Sequence, residues 1–323
     1  MSDSSRHDMF YVPEVTYGVT PAVTPAFLDL RHTGTTLGLA KESFQSEELH
    51  ADRQIRDFRH GVKAVAGDLS MELSYGSFDD FLEATLMGTW ATDVLKAGVV
   101  RRSFSVLRHF EDLPTGNPYF LYAGIEFNAL NLTIPASGMV TGSFTVLGQS
   151  QVTLADLTSL GTPTFGSPLT TQPFDSFTGS ILEAGGAISV VTEVSLTLEN
   201  GLAAKNVVGS DETILPSVDK SNLTGSVTAF FEDTVILDKF LNETESSLEV
   251  TLTCPALNTM VGNQMSQAVV VRSQSTSQFK LFIMSLTSAT LLSLAFLCKS
   301  AVCMDPHLER GGGFLLTHAT DNH

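Results

Sequence analysis

Apolar and polar side chains alternate with a period of two along much of this chain, and that period admits strands and little else. In 68–75, Leu69, Met71, Leu73 and Tyr75 share one side, while Asp68, Ser70, Glu72 and Ser74 share the other. In 188–199, Ile188, Val190, Val194, Leu196 and Leu198 oppose Ser189, Glu193, Ser195 and Thr197. Shorter stretches at 102–110, 119–127, 139–147, 225–231 and 247–254 behave alike. Turn residues such as Pro114-Thr115-Gly116-Asn117 and Ala136-Ser137-Gly138 separate them. Strands of this kind bury one face and wet the other. The expected fold class is all-β with a few short helices.

Two helices are expected. One covers 78–86, with Ser77 and Asp80 at capping-box spacing and Phe78, Phe81, Leu82, Thr85 and Leu86 on one face. The other covers 234–241, with Asp233 as its cap and Val235, Leu237, Phe240 and Leu241 as its apolar side. Each follows a strand, and together they expose a repeat. Gly67–Leu73 and the first helix correspond to Gly225–Phe231 and the second; Thr36–Leu39 corresponds to Ser195–Leu198. Both alignments have an offset of about 158 residues. The chain of 323 residues also suits two domains by length. The expected organisation is a first β module over 1–149, a Thr/Ser/Gly/Pro-rich linker over 150–180, and a second, incomplete β module over 181–254. In the linker, Phe165, Phe174 and Phe177 are available to hold it to a module surface.

Residues 255–323 depart from this pattern. Pro255-Ala256-Leu257-Asn258 and a Ser/Gln-rich stretch replace the expected alternation, and an uncharged run then spans Leu281–Cys298. Eighteen residues is at the short edge for a membrane span, and five hydroxyl side chains weaken that reading. A shifted coding frame near 254, a variant C-terminal domain and a membrane segment are the three explanations, the first preferred.

Charge and chemistry narrow the function. With 35 acidic and 18 basic side chains the formal net charge is -17, which disfavours reading of DNA sequence but suits sliding past DNA. Charged residues make up only 16%, as in a chain that hides surface in assembly contacts. The three cysteines, Cys254, Cys298 and Cys303, form no disulfide framework and no zinc-type pair. The N-terminus has no signal-peptide pattern, so Asn131, Asn222 and Asn242 are chance sequons. No phosphate-cradling glycine loop and no nucleophile elbow occur, and His50 and His60 lack ligand spacing. Asp79 and Asp80 read as helix N-terminal acids rather than an acid–base pair. No enzymatic activity, cofactor or metal is expected. In this acidic chain, Arg53, Arg56, Arg59 and Lys63 stand out as a basic cluster in a polar loop from about 42 to 64, either solvated or a docking arm for an acidic surface.

Several runs resemble the tail tube proteins of long, non-contractile phage tails. They include Tyr17-Gly18-Val19-Thr20-Pro21, Glu42-Ser43-Phe44-Gln45-Ser46-Glu47-Glu48, Ser74-Tyr75-Gly76-Ser77-Phe78-Asp79-Asp80, Arg101-Arg102-Ser103-Phe104, Pro173-Phe174-Asp175-Ser176-Phe177 and Leu198-Glu199-Asn200-Gly201. The resemblance runs from about 10 to 254. It implies duplicated β-sandwich modules whose inner strands join a barrel around a lumen, and rings that stack through the loop holding Arg53, Arg56, Arg59 and Lys63. Asp68, Glu72, Glu126 and Glu193 are the acidic candidates for the lumen face. Implied partners are the chain itself, in trimeric rings of pseudo-sixfold symmetry, the tape measure, tail terminator and distal tail proteins, and DNA in transit without specific binding. The implied place is the virion tail, assembled in the host cytoplasm. The rival reading is a β-rich binding module of the adhesin or tail-completion type.

Overall fold

The structure is a computed structural model that describes residues 6–49, 51–52, 54–55, 57–91, 94–113, 116, 118–176, 180–183, 186–187, 191–230, 248–254, 267–273, 281–284 and 291–296. The fold is all-β, as the alternation requires. In chain order the strands are β1 (His7–Pro13), β2 (Ala26–Asp29), β3 (Gly34–Thr35), β4 (Gly38–Gln45), β5 (Phe58–Glu72), β6 (Val94–Lys96), β7 (Phe104–Phe110), β8 (Tyr119–Pro135), β9 (Thr141–Gly148), β10 (Ser150–Leu154) and β11 (Thr164–Phe165). They continue as β12 (Ser180–Glu183), β13 (Gly186–Ala187), β14 (Val191–Glu199), β15 (Ala203–Lys205), β16 (Ile214–Ser217), β17 (Asn222–Ala229), β18 (Leu248–Cys254), β19 (Gln267–Ser273), β20 (Leu281–Met284) and β21 (Leu291–Phe296). Among the described residues one α-helix, α1 (Asp79–Thr85), interrupts them.

Strand β8 organises the main sheet. Its first half pairs with β7 and β10. Its second half pairs with β9 and β14. The exchange of partners falls between Gly124, at φ +71, and a bulge at Phe127/Ala129. A Cβ on Gly124 would sit 2.8 Å from the Gln149 Cβ and 3.1 Å from the Tyr17 ring, so the bend needs glycine twice over, for conformation and for space. Two layers result within one 12-stranded sheet. The first is β11-β2-β1-β7-β8-β10; the second is β3-β5-β9-β8-β14-β17, with β4 prolonging the pairing of β5.

Helix α1 plugs the space between the layers. The Phe81 ring lies 4.6 Å from both Tyr11 and Phe127, and 5.6 Å from both Phe104 and Phe144. Side chains of β1, β7, β8 and β9 thus meet on one residue, each contact adding about 0.5–1.5 kcal/mol beyond burial. The first layer is buried on both faces. Met9, Tyr11, Phe104 and Val106 face this core, and Val12, Leu107 and Leu121 face a smaller cluster with Phe27 and Leu160.

Several expectations are corrected here. The helix N-cap is Phe78 with no side-chain cap; Ser77 instead accepts a hydrogen bond from the Ser74 hydroxyl at 2.8 Å. The segment read as a linker carries β10 on β8 and β11 on β2, and Leu160 covers the smaller cluster. Phe174 is fully buried and Phe165 stacks on Phe27, whereas Phe177 lies outside the described residues. Inside the uncharged run at 281–298, residues 281–284 and 291–296 are strands. The helix expected at 234–241 lies outside the described residues.

Candidate functional site

The outer face of the second layer is a largely polar surface, with Ala129 its one apolar position in the three rows below. Cross-strand register sets Asp68, Thr145, Ala129, Glu199 and Asn222 in one row across β5, β9, β8, β14 and β17. The next row is Ser70, Ser143, Asn131, Thr197 and Thr224, and the third is Glu72, Thr141, Thr133, Ser195 and Ser226. None of these positions carries Lys or Arg. Their hydroxyls and amides bond laterally: Thr145 donates to Asp68 at 2.6 Å, Thr197 donates to Asn131 at 2.9 Å, and the Ser195 and Ser226 hydroxyls lie 2.7 Å apart. The opposite faces of the same strands are buried at Leu69, Met71, Phe144, Val146, Leu132, Val194 and Leu196. The sheet is therefore dry on one side, and wet and acidic on the other. Among the described residues, β17 pairs with β14 alone and β3 with β5 alone, which leaves an edge at each side.

Of the four acidic candidates, Asp68 and Glu72 lie on this face, and Glu193 is exposed beyond it, opposite Thr228. Glu126 does not present its charge. It is buried at 4% exposure and ion-paired with Arg101. Burial raises its pKa, and the Arg101 guanidinium opposes the rise. This pair belongs to the bend of β8. There the Glu14 carboxylate accepts hydrogen bonds from the Gly18 and Gly124 amides, both at 2.8 Å, and from the Ser103 and Ser105 hydroxyls, both at 2.7 Å. The Tyr17-Gly18 and Arg101–Phe104 motifs meet at this carboxylate. Sequence reading missed it because Glu14 stands beside an exposed proline in no periodic segment.

The polar loop expected at 42–64 is largely a β-hairpin. Strands β4 and β5 stay paired out to Gln45 and Phe58, so only 46–57 connects them. We call this projection the arm. Arg53 and Arg56 lie outside the described residues. Arg59 is exposed, sits opposite Phe44 and comes no nearer than 4.0 Å to Asp57. Lys63 is at the arm's base and is engaged: its ammonium lies 2.5 Å from Asp211, and its amide donates to the Asp211 carbonyl at 2.8 Å. The hydrogen bond to Asp211 raises the Lys63 pKa.

The arm also carries apolar side chains that sequence reading did not single out. Phe44, Leu49, Ile55 and Phe58 are 57%, 99%, 62% and 52% exposed. Phe44 lies across Gly61, where a Cβ would meet its ring at 2.3 Å. A lone two-stranded ribbon is marginal in water, and clustered exposed apolar groups mark a contact surface. The signal was present in the sequence, but the intervening charges masked it.

At the other end of β5 is a cleft of about 350 Å³, lined by Leu28, Asp29, Arg31, Asp79, Asp80 and Leu169 among others. Asp80 accepts the Tyr11 hydroxyl at 3.0 Å. Arg31 donates to the Thr171 carbonyl at 2.6 Å and to Ser74 at 3.1 Å. Burial, then the neighbouring Asp80 and Glu83, push the Asp79 carboxyl up to about 6. Burial and then Asp8 raise Asp29. Among the described residues no three His, Cys, Asp or Glu side chains are grouped to hold a metal ion. No helix there is long and apolar enough to cross a membrane.

A family model described as phage tail tube protein matches residues 4–278 of the chain. That span runs further at both ends than the resemblance read from motifs. No curated protein matches the chain.

Proposed function

The chain belongs to the phage tail tube protein family, and from that premise we propose that it assembles into closed rings that stack into the conduit for DNA. Its place in the family makes it a structural component of the phage tail. The observation that carries the finer reading is the polar sheet face. Asp68, Glu72 and Glu199 lie on it without a basic residue in any of the three rows, and Glu193 extends it. A phosphate backbone gains nothing by releasing counterions to such a surface, so DNA slides past it. Cross-strand hydrogen bonds already occupy many of its hydroxyls, which leaves fewer donors to hold a phosphate. The edges at β17 and β3 are the places where neighbouring copies would continue the sheet, and closure removes edges that otherwise invite aggregation.

We further propose rings of three chains, each supplying two modules. The antiparallel pair β4–β5 has a counterpart in β14–β17: Leu39 faces Val65 in the first and Thr197 faces Thr224 in the second, within about one residue of the repeat offset. Closed symmetry with two alternating modules gives a threefold ring with pseudo-sixfold character. In this reading the modules are 1–149 and 181–254, and the family match continues past the second as far as residue 278. The arm, with Arg53, Arg56, Arg59 and Lys63, makes the contact between rings. The tape measure, terminator and distal tail proteins meet the tube at its core and ends.

The test is charge reversal on the lumen face. Glu72→Lys with Glu193→Lys should leave tubes intact in electron micrographs and slow DNA ejection. Ejection at the normal rate from such tubes refutes the lumen assignment. End-on averages decide the ring: threefold power with a strong sixfold component supports it, and strict sixfold symmetry per chain overturns it.

A further inference from the structure

Two histidines away from the polar face, the arm and the cleft stand face to face. Register pairs Phe10 with Asp29 and Tyr11 with Leu28 across β1 and β2, and the same antiparallel register, continued past the ladder, sets His7 opposite His32. The two segments do run on together, since the Leu30 amide donates to the Met9 carbonyl at 2.9 Å. The two Nε2 atoms lie 3.0 Å apart. Phe110 of β7 flanks His7, with 5.9 Å between ring centres. The histidine rings are tilted by 45° and their centres are 4.8 Å apart, closer than end-on rings joined at that distance would stand. The nitrogens therefore do not point straight at each other.

A further contact fixes which nitrogen carries the proton. His32 Nδ1 lies 3.0 Å from the Leu30 carbonyl, and a carbonyl can only accept. Neutral His32 thus holds its proton on Nδ1 and turns the lone pair of Nε2 towards His7. An imidazole tied to a backbone carbonyl through one nitrogen, with the other nitrogen basic, is the arrangement that metal-ligating histidines adopt. The spacing fits as well. Two nitrogens each about 2.0–2.1 Å from one ion lie roughly 2.9–3.4 Å apart as neighbouring ligands.

We propose that His7 and His32 chelate one divalent transition ion of the zinc, nickel or copper kind, with water at its remaining positions. Imidazole suits these ions, whereas magnesium and calcium prefer oxygen. As the ion enters, the His7 proton moves from Nε2 to Nδ1. Two nitrogen–metal bonds then replace one hydrogen bond, and no net proton is released while both rings are neutral. Asp29 is near enough to feel His32 as well as Asp8 and Arg31, so two carboxylates against one guanidinium surround the added cation. Arg6, beside His7, is paired with Glu111 at 3.5 Å. The ion would clasp the start of β1 to the connection that leads into β3, where the Thr33 amide donates to the Ser70 carbonyl of β5 at 2.9 Å. It would thus fasten the first layer to an edge of the second. Sequence spacing hides the pair, because 25 positions separate the two ligands.

Zinc chloride titrated into the full-length protein by calorimetry tests this. At pH 8 a single ion should bind per chain, indifferent to excess magnesium, and raise the melting temperature. At pH 5, below the ordinary histidine pKa of about 6.5, protons should compete and weaken binding at least about tenfold. His7→Gln and His32→Gln should each weaken it at least about tenfold at pH 8, because one imidazole cannot chelate. Melting without zinc checks that each variant is folded. His109→Gln, which removes a ring stacked on Tyr119 at 4.5 Å, should leave binding unchanged. A readout on the unaltered protein needs no variant: copper(II) bound there should show electron paramagnetic coupling to two imidazole nitrogens. Absence of saturable zinc binding at pH 8, a copper spectrum with fewer than two nitrogens, or binding that survives both glutamine substitutions overturns the proposal.

Discussion

Two excursions leave the second layer of the sheet, and they end up in opposite states. The first, between β4 and β5, projects as the arm and keeps Phe44, Leu49, Ile55 and Phe58 in solvent. The second, residues 200–221 between β14 and β17, is tied down. Asn200 is buried, and its amide donates to the carbonyls of Thr85 at 2.7 Å and Phe127 at 3.2 Å. The Leu202 amide donates to the Asn128 side chain at 2.7 Å. Thr213 donates to the Gly148 carbonyl at 3.2 Å, and Asp211 holds Lys63. The second excursion thus braces the base of the first. Similar strand pairs do not dictate what their connections do; a few buried polar anchors decide it. Asn200, reaching the carbonyls of Thr85 and Phe127 at once, is one such anchor.

Breaking the arm should have the largest effect, and on assembly alone. Arg56→Glu with Arg59→Glu should abolish tubes in micrographs while leaving the urea midpoint unchanged. Normal tubes would remove the arm from the stacking contact. Breaking the anchor should do the reverse. Asn200→Ala removes a buried side chain that donates to two carbonyls and should destabilise the chain by about 2–3 kcal/mol in urea unfolding. It should also open 201–221 to proteases. An unchanged midpoint would mean that the second excursion is held by its surface contacts.

A third prediction uses pH to separate the halves. Asp79 has its folded pKa near 6 against an ordinary 3.8, and the residue about 158 positions on is Leu237. A raised folded pKa means that the native state binds the proton more tightly. Stability should therefore fall as pH rises from about 4 to about 6 and level off above. The full effect is at most about 3 kcal/mol, from 1.36 kcal/mol per pKa unit. Asp79→Asn should remove this component from the dependence of the urea midpoint on pH. An equal slope in the variant assigns it to another group. The smallest effect is expected at the brace. Lys63→Met removes an ion pair whose Asp211 side is 66% exposed, and solvent screens it. The urea midpoint should hardly move, while protease cleavage near the arm's base rises slightly.

Much of the fold was legible because the second layer is wet on one face. Over 68–72 in β5, 141–145 in β9, 130–134 in β8 and 193–199 in β14, inward apolar or glycine positions alternate with outward polar ones, and the polar face followed from that alternation once register was known. The first layer was less legible. Strand β1 carries Met9, Phe10, Tyr11 and Val12 in succession because both its faces are covered, so no alternation marks it. The segment 150–180 was read as a linker because it is rich in Thr, Ser, Gly and Pro, yet within it Leu154, Leu157 and Leu160 cover the smaller cluster. Of the site residues, Asp68 and Glu72 were placed by their spacing alone. Glu126 looked equivalent, and register does set it opposite Leu147, two residues beyond the outward Thr145, but it is buried at the bend of β8 in its pair with Arg101.

By itself the sequence determined the strand class, the position of the helix on the first half, the acidic character of the polar face and the family, since each depends on residue type at short separation. Only the tertiary structure decided that β8 changes partners at Gly124, that Glu14 fastens that bend, that Lys63 is held by Asp211 and that the arm and the cleft lie at opposite ends of β5. Each of these joins groups distant in sequence: Lys63 and Asp211 belong to different halves of the chain, and Glu14 reaches Gly124 across 110 residues. Local pattern carries no information about which distant residues meet. That is settled when the whole chain buries its apolar faces and pairs its strands at once.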